Sequence, residues 1–407
     1  MKVLYLAPQL PWPLDQGARI RNYHLLRALA AEHIVDLLCL DQAPAGDGDL
    51  GPLPALCRRV EVLRAPRRDR AARLRTLLRS PLPDLAHRAW QPALARRLRA
   101  LLAVERYDVL QVSSLELMPY RRLAARGPSR PAVVFDDLNA EYQLQRRAFL
   151  TDLSQPRRWH AALYSALQWR RLRAYEGRVC READAVIAVS DADARLLRRL
   201  APGARLVVLP NGVDTVAFAY REPSTAPAAP PTLLFTGTMD YRPNVDAMLW
   251  FAAVIWPRLR AARPDLRCLI VGKSPDARLL AAARRAPGLE VTGAVPDVRP
   301  YLAAATVYVV PMRMGSGVRL KVLEAMAAGV PVVSTGIGLE GVAAVAGEHA
   351  LRADSPAAFA QAVLRLLDDP ALAARLAARA RALVEERYDW TRLAPALLDL
   401  YRFLRGC

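Results

Sequence analysis

The chain has 407 residues, of which 53% are hydrophobic, 24% charged and 7% aromatic. That apolar content excludes a mainly disordered chain and suffices for two or three domains. Fifty-eight Lys and Arg against 39 Asp and Glu give a formal net charge of +19; five Cys with no CxxC pair exclude a disulfide scaffold, and the five His show no metal-ligand spacing.

Apolar runs alternate with helical periodicity along most of the chain, which predicts an α/β fold with parallel sheets. The first strand, Val3–Ala7, ends before a proline and is too short for a signal peptide. A helix over Ile20–Glu32 and strands over Ile34–Cys39 and Val60–Leu63 follow. Residues 51–100 then hold thirteen arginines against Glu61, Asp69 and Asp84. Two readings of that excess stand side by side. One is a solvated surface in an arginine-biased chain whose only lysines are Lys2, Lys273 and Lys321. The other is contact with an anionic surface. Ala93, Leu94, Leu98, Leu101 and Leu102 form an apolar stripe beside Arg96, Arg97 and Arg99, a pattern that suits docking on an anionic bilayer. No nucleic-acid-binding module is recognisable, so no nucleic-acid partner is expected.

Further strands are predicted at Val109–Val112, Ala132–Phe135, Ala185–Val189 and Leu206–Leu209, with a helix over His160–Ala183. The segment from Arg221 to Pro231 holds four prolines, which reads as an exposed connection. The alternation then restarts with strands Thr232–Thr236, Arg267–Val271, Leu289–Thr292, Val307–Val310 and Val332–Ser334 and a helix over Val245–Trp256. Two final helices, Pro370–Glu386 and Thr391–Leu404, are interrupted at Tyr388-Asp-Trp390. No run of eighteen apolar residues occurs, so no transmembrane helix and a cytoplasmic protein are expected.

The chemistry concentrates after the Val307–Val310 strand. Gly315-Ser316-Gly317 lets backbone N–H groups approach an anion at a helix N-terminus. Lys321 and Glu324, three residues apart, share one helical face. There Lys321 can meet phosphate and Glu324 can accept hydrogen bonds from a ribose diol; an ordinary surface ion pair is the competing reading.

Glu324-Ala-Met-Ala-Ala-Gly-Val-Pro-Val-Val333 resembles the C-terminal signature of the family 4 retaining glycosyltransferases, and weaker matches run along nearly the whole chain. These are Asp15-Gln-Gly-Ala-Arg-Ile-Arg21, Ala183–Ser190, Pro210-Asn-Gly-Val-Asp214, Phe235-Thr-Gly-Thr-Met239, Leu269-Ile-Val-Gly272 and Val291-Thr-Gly293. The resemblance implies a GT-B fold: two Rossmann-like domains facing across a cleft, with the C-terminal helix crossing back to the first. On that pattern residues 1–214 bind the acceptor and are joined by helix 391–407, residues 215–231 connect, and residues 232–390 bind a nucleotide sugar, UDP- or GDP-linked, without a metal or other cofactor. Glu324, Gly315, Gly317, Gly237, Arg242, Lys273 and Gly293 fall at donor-side positions, and Gly17, Asp136, Asn139 and Glu141 at acceptor-side ones.

Three departures bear on mechanism. The first glutamate of the family signature falls on Ser316, the usual diphosphate-binding lysine on Asn244, and a histidine of the N-terminal domain on Leu138. Ser316 stays a catalytic candidate, since its hydroxyl can still donate or accept one hydrogen bond, and Arg319 and Lys321 are the candidates to meet the departing diphosphate, with Arg242 and Lys273 as others; in a retaining reaction the leaving phosphate can itself serve as base. The implied activity is sugar transfer to a glycan or lipid-linked acceptor in cell-surface polysaccharide or glycolipid synthesis, peripheral on the inner membrane face. The alternative is a non-catalytic sugar-nucleotide-binding partner in an assembly complex.

Overall fold

The computed structural model describes residues 1–41, 49–124, 130–153, 159–222, 230–315 and 317–406. Ser316 and most of the proline-rich connection lie outside them. The chain divides into two compact units, Met1–Pro210 with Ala394–Cys407, and Asn211–Leu393.

In the first unit the strands are β1 (Lys2–Ala7), β2 (Ile34–Asp41), β3 (Arg59–Arg64), β4 (Val109–Ser113), β5 (Ala132–Asp137), β6 (Ala185–Ala188) and β7 (Leu206–Val208). They form one sheet in the order β3-β2-β1-β4-β5-β6-β7, parallel throughout. The central strands are buried on both faces, which is why they read as continuous apolar runs rather than alternating ones. Residues from Ala394 onward belong to this unit. Tyr401 is fully buried there, donates to Gln111 Oε1 at 2.8 Å and stacks on His33 with ring centroids 5.6 Å apart.

The second unit contains β8 (Thr232–Thr236), β9 (Arg267–Val271), β10 (Leu289–Gly293), β11 (Val307–Val310), β12 (Val332–Ser334) and β13 (Leu351–Arg352), ordered β10-β9-β8-β11-β12-β13 and also parallel. Each unit is therefore a Rossmann-like sheet covered by helices. Each has a switch point where the strand order reverses, β1/β4 in one and β8/β11 in the other, and ligands bind such sheets at the carboxyl edge of that point.

Three elements depart from the sequence expectation. The two-residue β13 is too short to leave a periodic signal. The Arg242–Trp250 helix begins before Val245, with Pro243 in its first turn, where a missing N–H costs nothing. The third is a correction. In the Pro92–Val104 helix, Leu94, Leu98, Leu101 and Leu102 are at most 3% exposed and belong to the sheet core, while Arg97 is paired with Glu61. The core has claimed that stripe, so it cannot meet a bilayer. The most exposed apolar residues of the basic region are instead Leu74 and Leu78 on the Arg70–Arg79 helix, 56% and 76% exposed, with Trp90 at 40%.

Candidate active site

The carboxyl edge of the second sheet is built on glycines. Gly237 follows β8 with φ +146°, and its amide donates to the Val271 carbonyl at the end of β9. Gly272 packs so closely against that turn that a Cβ would stand 1.6 Å from the Gly237 carbonyl oxygen. The Gly272 amide in turn donates to Gly293, which closes β10 at φ +78°. Met239 N–H to the Lys273 carbonyl and Asp276 N–H to the Met239 carbonyl tie the two loops further. The edge is thus a hydrogen-bonded shelf of backbone with little side chain on it.

Lys321 reaches onto this shelf from the Leu320–Ala327 helix. Its Nζ donates to Asn244 Oδ1 at 3.0 Å and lies 4.0 Å from the centroid of the Phe235 ring. Asn244 is buried and its amide donates to the Thr238 carbonyl at 2.8 Å, so its oxygen is turned toward Lys321. A Cβ on Gly237 would come within 2.5 Å of Nζ, which explains the glycine. Asn244 therefore holds the ammonium that stands in the region where the family pattern has a lysine of its own. Sequence reasoning registered Asn244 as a lost cation; that a neighbouring strand and helix bring Lys321 to it has no local signal.

Burial, reinforced by the Arg319 guanidinium, lowers the Lys321 pKa to about 7. Burial raises the Glu324 carboxyl to about 7 as well, opposed by Lys321. The Glu324 carboxylate accepts no hydrogen bond from the described residues; its charge helps raise the pKa of the buried Tyr308, whose hydroxyl is engaged with Thr236 Oγ1 at 2.6 Å. Arg319 occupies the N-cap position of the helix, and no described side chain caps that end. A Cβ on Gly315 would lie 2.5 Å from the Arg319 Nη2, so the φ +122° glycine makes room for the guanidinium. Gly317, at φ +77°, follows Ser316. Ammonium, guanidinium, a helix N-terminus without a side-chain cap and a carboxylate thus gather around one helix start. Such a set can meet an anion and accept from hydroxyls.

Arg242 is exposed at the first residue of its helix, and Lys273 is half-buried at the end of β9. Gly293 borders open space. Arg313, which the sequence reading did not single out, pairs with Asp246 at 2.6 Å and lies over the Trp250 ring.

In the first unit, the alternation along β5 sends Asp136 and Asp137 to opposite faces. Asp136 is fully buried and held by Arg21 at 2.6 Å; Arg21 also donates to the carbonyls of Leu209 and Pro210. Asp137 is buried near Glu176, which accepts the backbone N–H groups of Glu141 and Tyr142 at 2.9 Å. Burial and the neighbouring acids raise Asp137, and burial raises Glu141 to about 7. Asn139 is half-buried in the turn after β5, Glu141 is half-buried at the first residue of the Glu141–Leu153 helix, and Gly17 is exposed at the start of the Gly17–Ala30 helix. Among the described residues no group of three or more His, Cys, Asp or Glu could hold a metal ion.

Comparison with known families and structures follows the two units. Residues 16–217 match the model of glycosyltransferase family 4, and residues 230–369 that of the group 1 glycosyl transferases. A glycogen synthase of Mycobacterium tuberculosis is 32% identical over 258 residues, 60% of this chain and 59% of that protein. A phosphatidyl-myo-inositol mannosyltransferase of Mycolicibacterium smegmatis is 33% identical over 226 residues, covering 54% and 57%. The chain thus spans under three-fifths of the length of these relatives. Sucrose-phosphate synthase from Thermosynechococcus elongatus superposes with a TM-score of 0.75 at 21% identity, over 100% of this chain and 99% of that one. Anabaena HepE, solved in complex with UDP and glucose, gives 0.64 at 15% identity over 99% of both. These likenesses are of GT-B folds.

Proposed function

The chain belongs to the family 4 and group 1 glycosyltransferases, and from that premise we propose that it transfers a sugar, with retention, from a nucleotide-sugar donor to a glycan or lipid-linked acceptor. The observation that carries this reading is the Asn244-held Lys321 beside Arg319 and the unengaged Glu324. The donor's diphosphate meets Lys321, Arg319 and the N–H groups of the helix start; Glu324 accepts from the ribose diol. As the bond from sugar carbon to phosphate oxygen breaks, charge grows on the leaving diphosphate, where fixed cations in a part-buried site act most strongly. The acceptor oxygen bonds to the same carbon, and its proton passes to the leaving phosphate, so the reaction proceeds with Leu138 in place of a histidine.

A UDP-linked donor is supported by the neighbour solved with UDP, and a lipid-linked acceptor by the mannosyltransferase relative. No helix among the described residues is long and apolar enough to cross a membrane. Attachment to an anionic membrane face would instead use Leu74 and Leu78 with Arg67, Arg75 and Arg79, while Arg73 of the same helix is paired with Asp84. The test of function is thermal-shift screening of UDP-, GDP- and ADP-sugars followed by donor turnover. A donor that stabilises the protein and is consumed upholds transfer. Stabilisation without turnover against any acceptor favours the non-catalytic binding partner, which the departures at Ser316 and Leu138 also suggest.

A further inference from the structure

The first unit carries a basic concavity that the transfer reaction does not use. A cavity of about 360 Å³ lies against the Trp159–Glu182 and Asp191–Leu200 helices, lined by Trp169, Arg170, Arg173, Gly177, Arg181 and Arg199 and by no carboxylate. Arg170, Arg173, Gly177 and Arg181 recur at steps of three and four and so share one helix face. Gly177 is buried on that face; a Cβ there would stand 3.4 Å from the Leu200 Cβ, so a longer side chain would fill the hollow.

Arg21, Arg58 and Arg68 of this unit are matched by Asp136, Asp36 and Asp84, whereas no carboxylate lines this hollow. Arg170, Arg173 and Arg199 make no hydrogen bond or ion pair among the described residues. Arg181 donates to the Leu200 carbonyl at 2.9 Å and so occupies an acceptor that would otherwise repel an anion. The Trp169 indole N–H is buried without an acceptor. Several like charges converging on one hollow repel each other unless an anion offsets them, and planar guanidiniums match phosphate oxygens in pairs.

We propose that this cavity is a phosphate-binding site, filled either by a soluble phosphate ester or by the phosphate of a lipid headgroup. It lies wholly in the first unit and does not depend on the donor assignment. Calorimetric titration of the full chain with inorganic phosphate and with glycerol 3-phosphate at fixed ionic strength tests it. Saturable binding is expected, weakened at least tenfold in an Arg173→Gln, Arg199→Gln variant whose unfolding temperature without phosphate is unchanged. An Arg106→Gln, Arg405→Gln variant, altered at two exposed arginines away from both the hollow and the Arg70–Arg79 helix, should bind as the parent does. Co-sedimentation with phosphatidylglycerol and phosphatidylcholine vesicles separates the sources. Loss of phosphatidylglycerol binding in the first variant alone assigns the site to a lipid, and glycerol 3-phosphate binding without vesicle binding assigns it to a soluble ester. Absence of any binding, or equal weakening in both variants, overturns the proposal.

Discussion

Lys321 sits between two states that a passing anion can exchange. With its pKa lowered from 10.5 to about 7, it is mostly neutral at pH 8 in the unliganded protein. A diphosphate beside it favours the charged form, so donor binding at pH 8 should take up a proton. Calorimetry of UDP binding in buffers of different ionisation enthalpy should show that uptake, and Lys321→Met should lose it. The same shift has a stability consequence. Between about 7 and 10.5 the unfolded chain binds more protons at this residue than the folded one, so its contribution to stability rises with pH across that window. Replacing Glu324 by Ala should weaken nucleotide binding by about 1–3 kcal/mol, the typical cost of lost hydrogen bonds to a charged group. Unchanged affinity in a folded variant would remove it from the site. Asn244→Ala leaves Lys321 present but unheld; kcat should fall more than KM rises, with Arg319→Gln, Lys321→Gln lower still, because an interaction formed mainly in the transition state behaves so.

At the level of elements, the turns after β8 and β9 are one construction. Gly272→Ala would drive a Cβ to 1.6 Å from a backbone oxygen that no rotamer change can move. The expected loss is about 3 kcal/mol or more, read in thermal unfolding. Gly237→Ala meets the Lys321 ammonium at 2.5 Å and the Asn244 amide at 2.8 Å, and φ +146° strains a Cβ there, so it should lower both stability and donor binding. In the first unit, the turn after β5 carries buried acids. Asp137 is raised above its ordinary value by burial and by Glu176, so the folded state binds more protons than the unfolded one above the ordinary carboxylate range. That contribution is present at low pH and lost as pH rises through the raised value. Asp137→Asn removes the titration, so its unfolding temperature should exceed the parent's by more at pH 8 than at pH 5.

For the whole molecule, the final residues complete the first unit rather than trail from the second. Tyr401 is fully buried, and Tyr401→Ala should cost about 3–5 kcal/mol, as large aromatic deletions in cores do. Tyr401→Phe should cost about 1–2 kcal/mol, since Gln111 would lose its hydroxyl donor while its own Nε2 already lacks a partner. Denaturant unfolding of both variants gives the comparison.

Much of this was legible in the chain itself. Strands such as Thr232–Thr236, Arg267–Val271, Val307–Val310 and Val332–Ser334 stand where apolar runs bounded by turn residues put them, because a strand buried on both faces must be apolar along its length. The Glu324 motif and the Gly315–Gly317 loop were legible too, since backbone conformation and helix-face spacing are local properties. Tertiary structure alone decided which charges are available for chemistry. Arg21 and Asp136, far apart in sequence, neutralise each other in the core; Asn244 and Lys321 meet across 77 positions; and the leucines among the arginines of Pro92–Val104 turn inward. Periodicity says that a helix has an apolar face, but only the packed neighbour determines whether that face meets a sheet or water.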